Sequence, residues 1–303
     1  MHRAWQLIRE SAIAWDQDQA TRKGAALAFY TVFSLAPVLI IAIAIAGIFF
    51  GEDAARGEIV SQIRGLVGDD GARTVQAIIE NAGAHKAGPL AGVAGFVTLI
   101  VGATTALAEL KDGLDQIWGV PAQSASGLWY FMRKRLLSMG LILALAFLLL
   151  VSLVFSAMLT ALARYWGPQD LTSLLLQGVN FLFSFGLTTA LFALIYKLLP
   201  SVRIAWRDVL IGSVVTALLF SVGKYLIGVY LGNGAVTSSY GAAGSVVLIL
   251  VWVYYSAQIF FLGAEFTKVY AHHFGSHANR PLRNTRVAAV LAEANKKAVA
   301  SRE

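Results

Sequence analysis

Five stretches of the chain contain no Asp, Glu, Lys or Arg: 24–50, 87–108, 136–163, 171–196 and 225–264. A helix needs about 20 apolar residues to cross about 30 Å of hydrocarbon, so each stretch can supply a span. The last can supply more than one, and its polar, glycine-containing segment 232–240 (GNGAVTSSY) breaks it. Extending the part before that break back to Val209 gives six predicted spans, at about 25–50, 88–110, 136–163, 172–198, 207–231 and 241–267. The first follows a polar, charged lead-in of 23 residues and is followed by no clear small-residue cleavage site. It therefore reads as a retained span and not as a removed leader.

The segments between the spans have patterns of their own. In 51–86, Ile59, Val60, Ile63, Leu66 and Val67 follow helical spacing, as do Val75, Ile78, Ile79 and Ala82. The GDDG at 68–71 separates the two sets, predicting two short amphipathic helices against the outer face. They would cap a cavity or simply cover the bundle. Span two carries Ala91, Gly95, Thr98, Gly102, Thr105 and Glu109 on one face. Small faces let membrane helices approach closely, which puts this span near the bundle centre. Pro37, within span one, removes a backbone hydrogen bond and is the candidate hinge. Membrane helices tolerate such a residue.

Composition agrees with a membrane protein. Of 303 residues, 57% are hydrophobic and 14% charged, against about 25% charged in soluble domains. There is no cysteine, hence no disulfide framework and no thiolate metal site. A net charge of +7 would suit nucleic acid, but its distribution points elsewhere. Segments 1–24, 109–135, 197–208 and 265–303 hold 18 Lys and Arg, while 51–86, 164–170 and 232–240 hold 5. The positive-inside rule places the first group, with both termini, in the cytoplasm. Anionic inner-leaflet lipid is then the natural counter-surface, and the aromatic–basic stretch LWYFMRKR at 128–135 reads as an interfacial anchor. The expected fold is an all-α polytopic integral membrane protein: a bundle of six helices over 1–275, then a basic, flexible cytoplasmic tail over 276–303.

Within this apolar chain the polar positions stand out. Lys224 sits 16 residues beyond Asp208, roughly 24 Å into span five and in its outer half. Ser213, Ala217, Ser221 and Gly228 share its face. Ser152, Ser156 and Thr160 of span three, and Asn180, Ser184 and Thr188 of span four, recur at four-residue spacing. The inner half has Tyr30, Ser34, Thr105, Glu109, Tyr254, Gln258 and Glu265. Lys224 and Glu265 differ by about 20 Å in depth and are not expected to pair. Intramembrane charges tend to mark substrate or ion routes, which makes Lys224, Ser221, Ser156, Asn180, Ser184, Glu109, Gln258 and Glu265 a candidate pathway. A structural role remains open beside it. Lysine stems snorkel, and Ser, Thr and Asn commonly bond to neighbouring helices.

Familiar catalytic patterns are missing. No Walker A, HExxH, GxSxG or paired-carboxylate motif occurs. His273 and His277 lie four apart, but Gly275 weakens a helix there and no carboxylate lies between Glu265 and Glu293. Neither a metal nor a cofactor is expected, nor an enzyme activity.

Three stretches carry a resemblance. KGAALAFYTVFSLAPVL (23–39), ALAELKDGLDQIWGV (106–120) and YGAAGSVVLILVWVYYSAQIFFLGAEFTKVYA (240–271) resemble segments of the YihY/BrkB family of bacterial inner-membrane proteins. With the order of spans, the likeness covers about 5–275. It matches Ser34, Pro37, Trp118, Tyr240, Gly241, Trp252, Gly263 and Glu265, none with an attached catalytic role. It implies six spans in the inner membrane with both termini inside. Family members were long labelled ribonuclease BN, a label regarded as mistaken. The scattered basic residues and the absence of a carboxylate cluster here agree with that.

The function expected is a transporter or lipid-flippase-like protein for an anionic or lipidic envelope substrate. Lys224 would attract the anion, and Glu109 and Glu265 would act as an inner gate or proton site. The alternative is a non-transporting scaffold or regulator of envelope proteins. Expected partners are membrane lipids and that substrate, with no nucleic acid and self-association left open.

Overall fold

Long apolar runs joined by short polar breaks favour helices that satisfy their own backbone, and every described element of the computed structural model is an α-helix. The structure describes residues 2–84, 105–120, 170–232 and 244–277, with isolated helical positions at 148, 151, 155, 158 and 159. Most of predicted spans two and three, the break at 233–240 and the tail beyond 277 lie outside the described residues.

The polar lead-in is helical: α1 spans His2–Gln17. Its amphipathicity is reversed relative to a soluble helix. Glu10, Ser11 and Ala14 are buried, while Trp5 and Ile8 are 67% and 56% exposed. Asp18 and Gln19 join it to α2, Ala20–Phe50, with Gln19 in the left-handed region at φ 53. α2 covers the first predicted span and runs unbroken through Pro37. Gly51, at φ 84 and ψ 149, then turns the chain directly into α3, Glu52–Ala84.

α3 corrects the expectation of two short helices, because it is one helix of 33 residues. At 100° per residue, Val60, Ala72, Val75 and Ile79 fall within about 120° of one another. The two apolar sets therefore form one stripe, in phase across GDDG. Two interior glycines cost a helix about 1 kcal/mol each, less than the stripe contributes at about 1.5–3 kcal/mol per buried aliphatic side chain. The stripe packs on Leu39 and Ile43 of α2 and on Ile249.

The described part of α4 is 105–117. It is followed in the described residues by α5, Asp170–Leu198, α6, Trp206–Gly232, and α7, Gly244–His273. Three segments of these last helices are long and apolar enough to cross a bilayer: Gly178–Leu198, Trp206–Ile227 and Val246–His273. They correspond to predicted spans four, five and six.

α6 and α7 pack antiparallel through small residues. Gly212 of α6 faces Thr267 of α7, Thr216 faces Gly263, and Gly223 faces Tyr255 and Ile259. Each threonine hydroxyl donates to the carbonyl of the glycine four residues before it, at 2.7 Å. This satisfies a polar atom locally and leaves the methyl for the partner helix. Below that seam, Leu114 and Ile117 of α4, Phe192 and Tyr196 of α5, Val209 of α6 and Phe261 of α7 form a shared core.

Candidate functional site

The α1–α2 turn folds against the C-terminal half of α7 and brings four charged side chains together inside the protein. Lys268 Nζ donates to Asp18 Oδ2 at 3.0 Å and to Glu265 Oε2 at 3.1 Å. Glu265 is 0% exposed and Lys268 8%. The second Glu265 oxygen, Oε1, is buried with no donor, and the Asp18 carboxyl lies within hydrogen-bonding reach of Glu265. Lys23 Nζ is also buried and has no hydrogen-bond partner among the described residues. Lys23 stands just outside the span predicted at 25–50. Burial pushes its ammonium below the ordinary lysine pKa, while the charges of Asp18 and Glu265 pull it back up.

Gln258 lies two turns before Glu265 on the same face of α7. Its Nε2 and Oε1 are both buried without partners. The amide sits directly on the backbone of Gly24, where a Cβ would stand 2.0 Å from Nε2. Between Gln258 and Glu265, the Phe261 ring closes on Gly113 of α4, where the stem of Lys23 also lies. Glycines at 24 and 113 thus let Gln258 and Phe261 of α7 pack closely on α2 and α4, beside the stem of Lys23.

Charged hydrogen bonds brace this end of the bundle. Lys111 Nζ bonds Asp115 Oδ2 at 2.7 Å, Ser201 Oγ at 2.5 Å and the Leu199 carbonyl at 3.2 Å. Asp208, 2% exposed at the start of α6, accepts from the Ser276 amide at 2.8 Å and its hydroxyl at 2.7 Å. Glu10 of α1 bonds His273 Nε2 at 2.7 Å. Tyr196 donates to the Phe260 carbonyl at 2.7 Å. Bracing of this kind keeps the charges in place and leaves the unpaired polar atoms of the cluster as the candidates to meet a proton or a charged group.

Of the sequence-derived candidates, Gln258 and Glu265 come together here. Glu109 is half-buried on α4, and the lysine near it, Lys111, pairs with Asp115. Ser221 is half-buried and donates to the Ala217 carbonyl of its own helix at 2.8 Å. Asn180, Ser184 and Lys224 are exposed on α5 and α6. Ser213 and Ala217, on the Lys224 face but nearer the start of α6, are fully buried. Ser156 lies outside the described residues. His273 pairs with Glu10, and the His277 ring packs 5.5 Å from that of Trp118. Among the described residues no group of three or more His, Asp or Glu could hold a metal.

Two site residues escaped the sequence reading. Asp18 meets Lys268 across 250 residues, a pairing that only the fold reveals. Lys23 looked like a charge flanking a span. The signal available was its place beside glycine in KGAAL, since a small neighbour lets a long side chain turn inward.

The model of the family described as virulence factor BrkB matches residues 13–288. Over 293 residues the chain is 30% identical to a UPF0761 membrane protein of Teredinibacter turnerae, covering 94% of this chain and 64% of that protein. A UPF0761 membrane protein of Verminephrobacter eiseniae is 32% identical over 249 residues, 80% of this chain and 56% of that one. One from Stenotrophomonas maltophilia is 27% identical over 252 residues, 82% and 57% of the two lengths. The chain thus spans about three-fifths of the length of these curated relatives. No solved structure matches it.

Proposed function

The chain belongs to the virulence factor BrkB family, and from that premise we propose that it moves an anionic or lipidic envelope substrate across the bacterial inner membrane. In this reading it has six spans, both termini are cytoplasmic, and substrate passes the buried cluster of Asp18, Lys23, Gln258, Glu265 and Lys268. The observation that carries it is the incomplete satisfaction of that cluster. Lys23 Nζ, Glu265 Oε1 and both polar atoms of Gln258 are buried without partners. An unpaired buried polar group costs about 1–3 kcal/mol, and a charged one more. A bundle built only for rigidity gains nothing from holding several. The charge asymmetry of the polar segments supports the orientation.

One observation favours a scaffold instead. α6 and α7 interlock through reciprocal glycine–threonine contacts, which suits a fixed platform for other envelope proteins.

Reconstituted vesicles separate the two readings. Purified protein is incorporated with a fluorescent anionic phospholipid, and movement between leaflets is followed by quenching from outside. Transport predicts movement above protein-free vesicles and its loss in Glu265→Gln. Wild-type protein no faster than empty vesicles, across lipid and small-anion probes, leaves the scaffold.

A further inference from the structure

We propose that the buried cluster is a proton-linked anion site, in which Lys23 and Gln258 hold a singly charged phosphate group when Glu265 carries a proton. This rests on reading the cluster as the substrate site. It is tested by binding and not by flux, so the two can fail separately.

The argument begins from charge. Asp18 and Glu265 supply two carboxylates, and Lys23 and Lys268 two ammonium groups. Lys268 donates to both carboxylates, while Lys23 Nζ has no hydrogen-bond partner. The pairing is therefore lopsided: one lysine serves both acids and the other none. Glu265 Oε1, on a residue 0% exposed, lacks a donor, and the Glu265 carboxyl has that of Asp18 for a neighbour. Two carboxylates this close are relieved by a single proton between them. A proton on Oε1 gives Glu265 an O–H that donates to Asp18.

That proton leaves the cluster with one net positive charge. The excess sits at Lys23, whose ammonium lacks an acceptor, and the Gln258 amide, packed on the next residue Gly24, offers two unused N–H donors. Hydrogen bonds from a charged donor to an anionic oxygen are the strong kind. In a low-dielectric interior a separated charge is costly, so proton and monoanion each favour the other's binding. Linkage makes the coupling reciprocal. The groups facing Glu265 are Asp18 from the α1–α2 turn, Lys23 from α2, and Lys268 on its own helix. From α4, Gly113 lies against Phe261 and the stem of Lys23.

A phosphate monoanion fits this chemistry, whether free or as the phosphodiester of a lipid headgroup. Calorimetry on the full chain in detergent uses two probes, inorganic phosphate and dihexanoyl phosphatidylglycerol. Each is titrated at mildly acid and mildly alkaline pH, in buffers of different ionisation enthalpy. The expected result is binding about tenfold tighter on the acid side and, on the alkaline side, about one more proton taken up per anion by wild type than by Glu265→Gln. Glu265→Gln, which mimics the protonated side chain, keeps only the proton uptake and pH dependence of the probe itself, which is none for the phosphodiester. Lys23→Arg retains binding, and Lys23→Met loses it for either probe. Phosphate binding without lipid binding names a free anion, and the converse names a headgroup. The proposal is overturned if neither probe binds, if wild type takes up no more protons on binding than Glu265→Gln does, or if folded Lys23→Met binds like wild type. Should Lys23→Met not fold, proton uptake in wild type against Glu265→Gln still decides.

Discussion

Gly263 of α7 lies so close to Thr216 of α6 that a Cβ at 263 would stand 2.0 Å from the threonine Oγ1 and 2.7 Å from the Tyr196 hydroxyl. Without a hydrophobic force between helices in lipid, close van der Waals contact must supply the association. Gly263→Ala should therefore lower stability by about 1–3 kcal/mol, the usual range for an overpacked core. Adding Thr216→Ala should recover part of the loss, because it removes the nearest obstructing atom. Thermal melts of the single and double variants in one detergent check this. A fully additive loss would mean the two positions do not share the contact.

The paired charges of the buried cluster predict an asymmetric response. Lys268 serves both Asp18 and Glu265 with its side chain about 10% exposed. Breaking a buried pair by removing one partner costs about 3–5 kcal/mol. Lys268→Met leaves Glu265 without its donor and takes a charged partner from Asp18, whereas Glu265→Gln leaves Lys268 its bond to Asp18. The melting temperature should thus fall much further for Lys268→Met than for Glu265→Gln. Equal falls would show that Lys268 is not the shared partner.

Asp208 and Ser276 tie the start of α6 to the chain just after α7. The carboxylate accepts two bonds from one residue, each worth about 1.5–3 kcal/mol when an acceptor is charged. Gly275 packs on the same carboxylate, and a Cβ there would come within 2.4 Å of it. Asp208→Ala should destabilise the protein by about 2–3 kcal/mol and speed hydrogen exchange at the Ser276 amide. Unchanged exchange at that amide would sink the assignment.

Helix existence was legible because it depends on composition within one segment, and partnership was not. Runs such as 171–196 and 225–264 announce spans by lacking charge, and α5, α6 and α7 follow them. The single α3 was missed because GDDG looks like a break locally, while the phase that joins Val60 to Ile79 extends over five turns. α1 was missed because its carboxylate faces inward and its tryptophan outward. Gln258 and Glu265 could be named, since polar residues in an apolar helix stand out. Lys23 and Asp18 could not be assigned, because charges next to a span usually face water. What brings them inside is the turn at Gln19, which no spacing rule marks.

The turn between α2 and α3 rests on Gly51. Its φ of 84 with ψ of 149 belongs to a region that L side chains enter at a cost of about 1–3 kcal/mol. No atom lies near enough to obstruct a methyl group there, so any effect of Gly51→Ala is conformational and not steric. The variant should lose about 1–3 kcal/mol, as should Gly51→Ser. At Gly57, an exposed position where a Cβ also meets nothing, alanine should be neutral or stabilising because it favours helix. The contrast between Gly51→Ala and Gly57→Ala in thermal melts isolates the backbone term.

Lys224 supplies the last test. It is exposed on α6 beside Val222, Tyr225 and Leu226, which are 53%, 72% and 57% exposed. Apolar neighbours this open describe a lipid-facing surface, on which a lysine extends its stem toward the headgroups. At 100° per residue Lys224 falls within about 20° of Ser213 and Ala217, which are buried nearer the start of the helix. Its exposure belongs to the later turns of α6, where Val222 and Leu226 on the far side are open as well. Lys224→Met and Lys224→Arg should then keep lipid movement in vesicles within about twofold of wild type. Glu265→Gln, at a buried charge of the proposed route, should lower it by more than about tenfold. A loss in Lys224→Met that Lys224→Arg restores would return this lysine to the pathway and move the search for substrate to the outer half of α6.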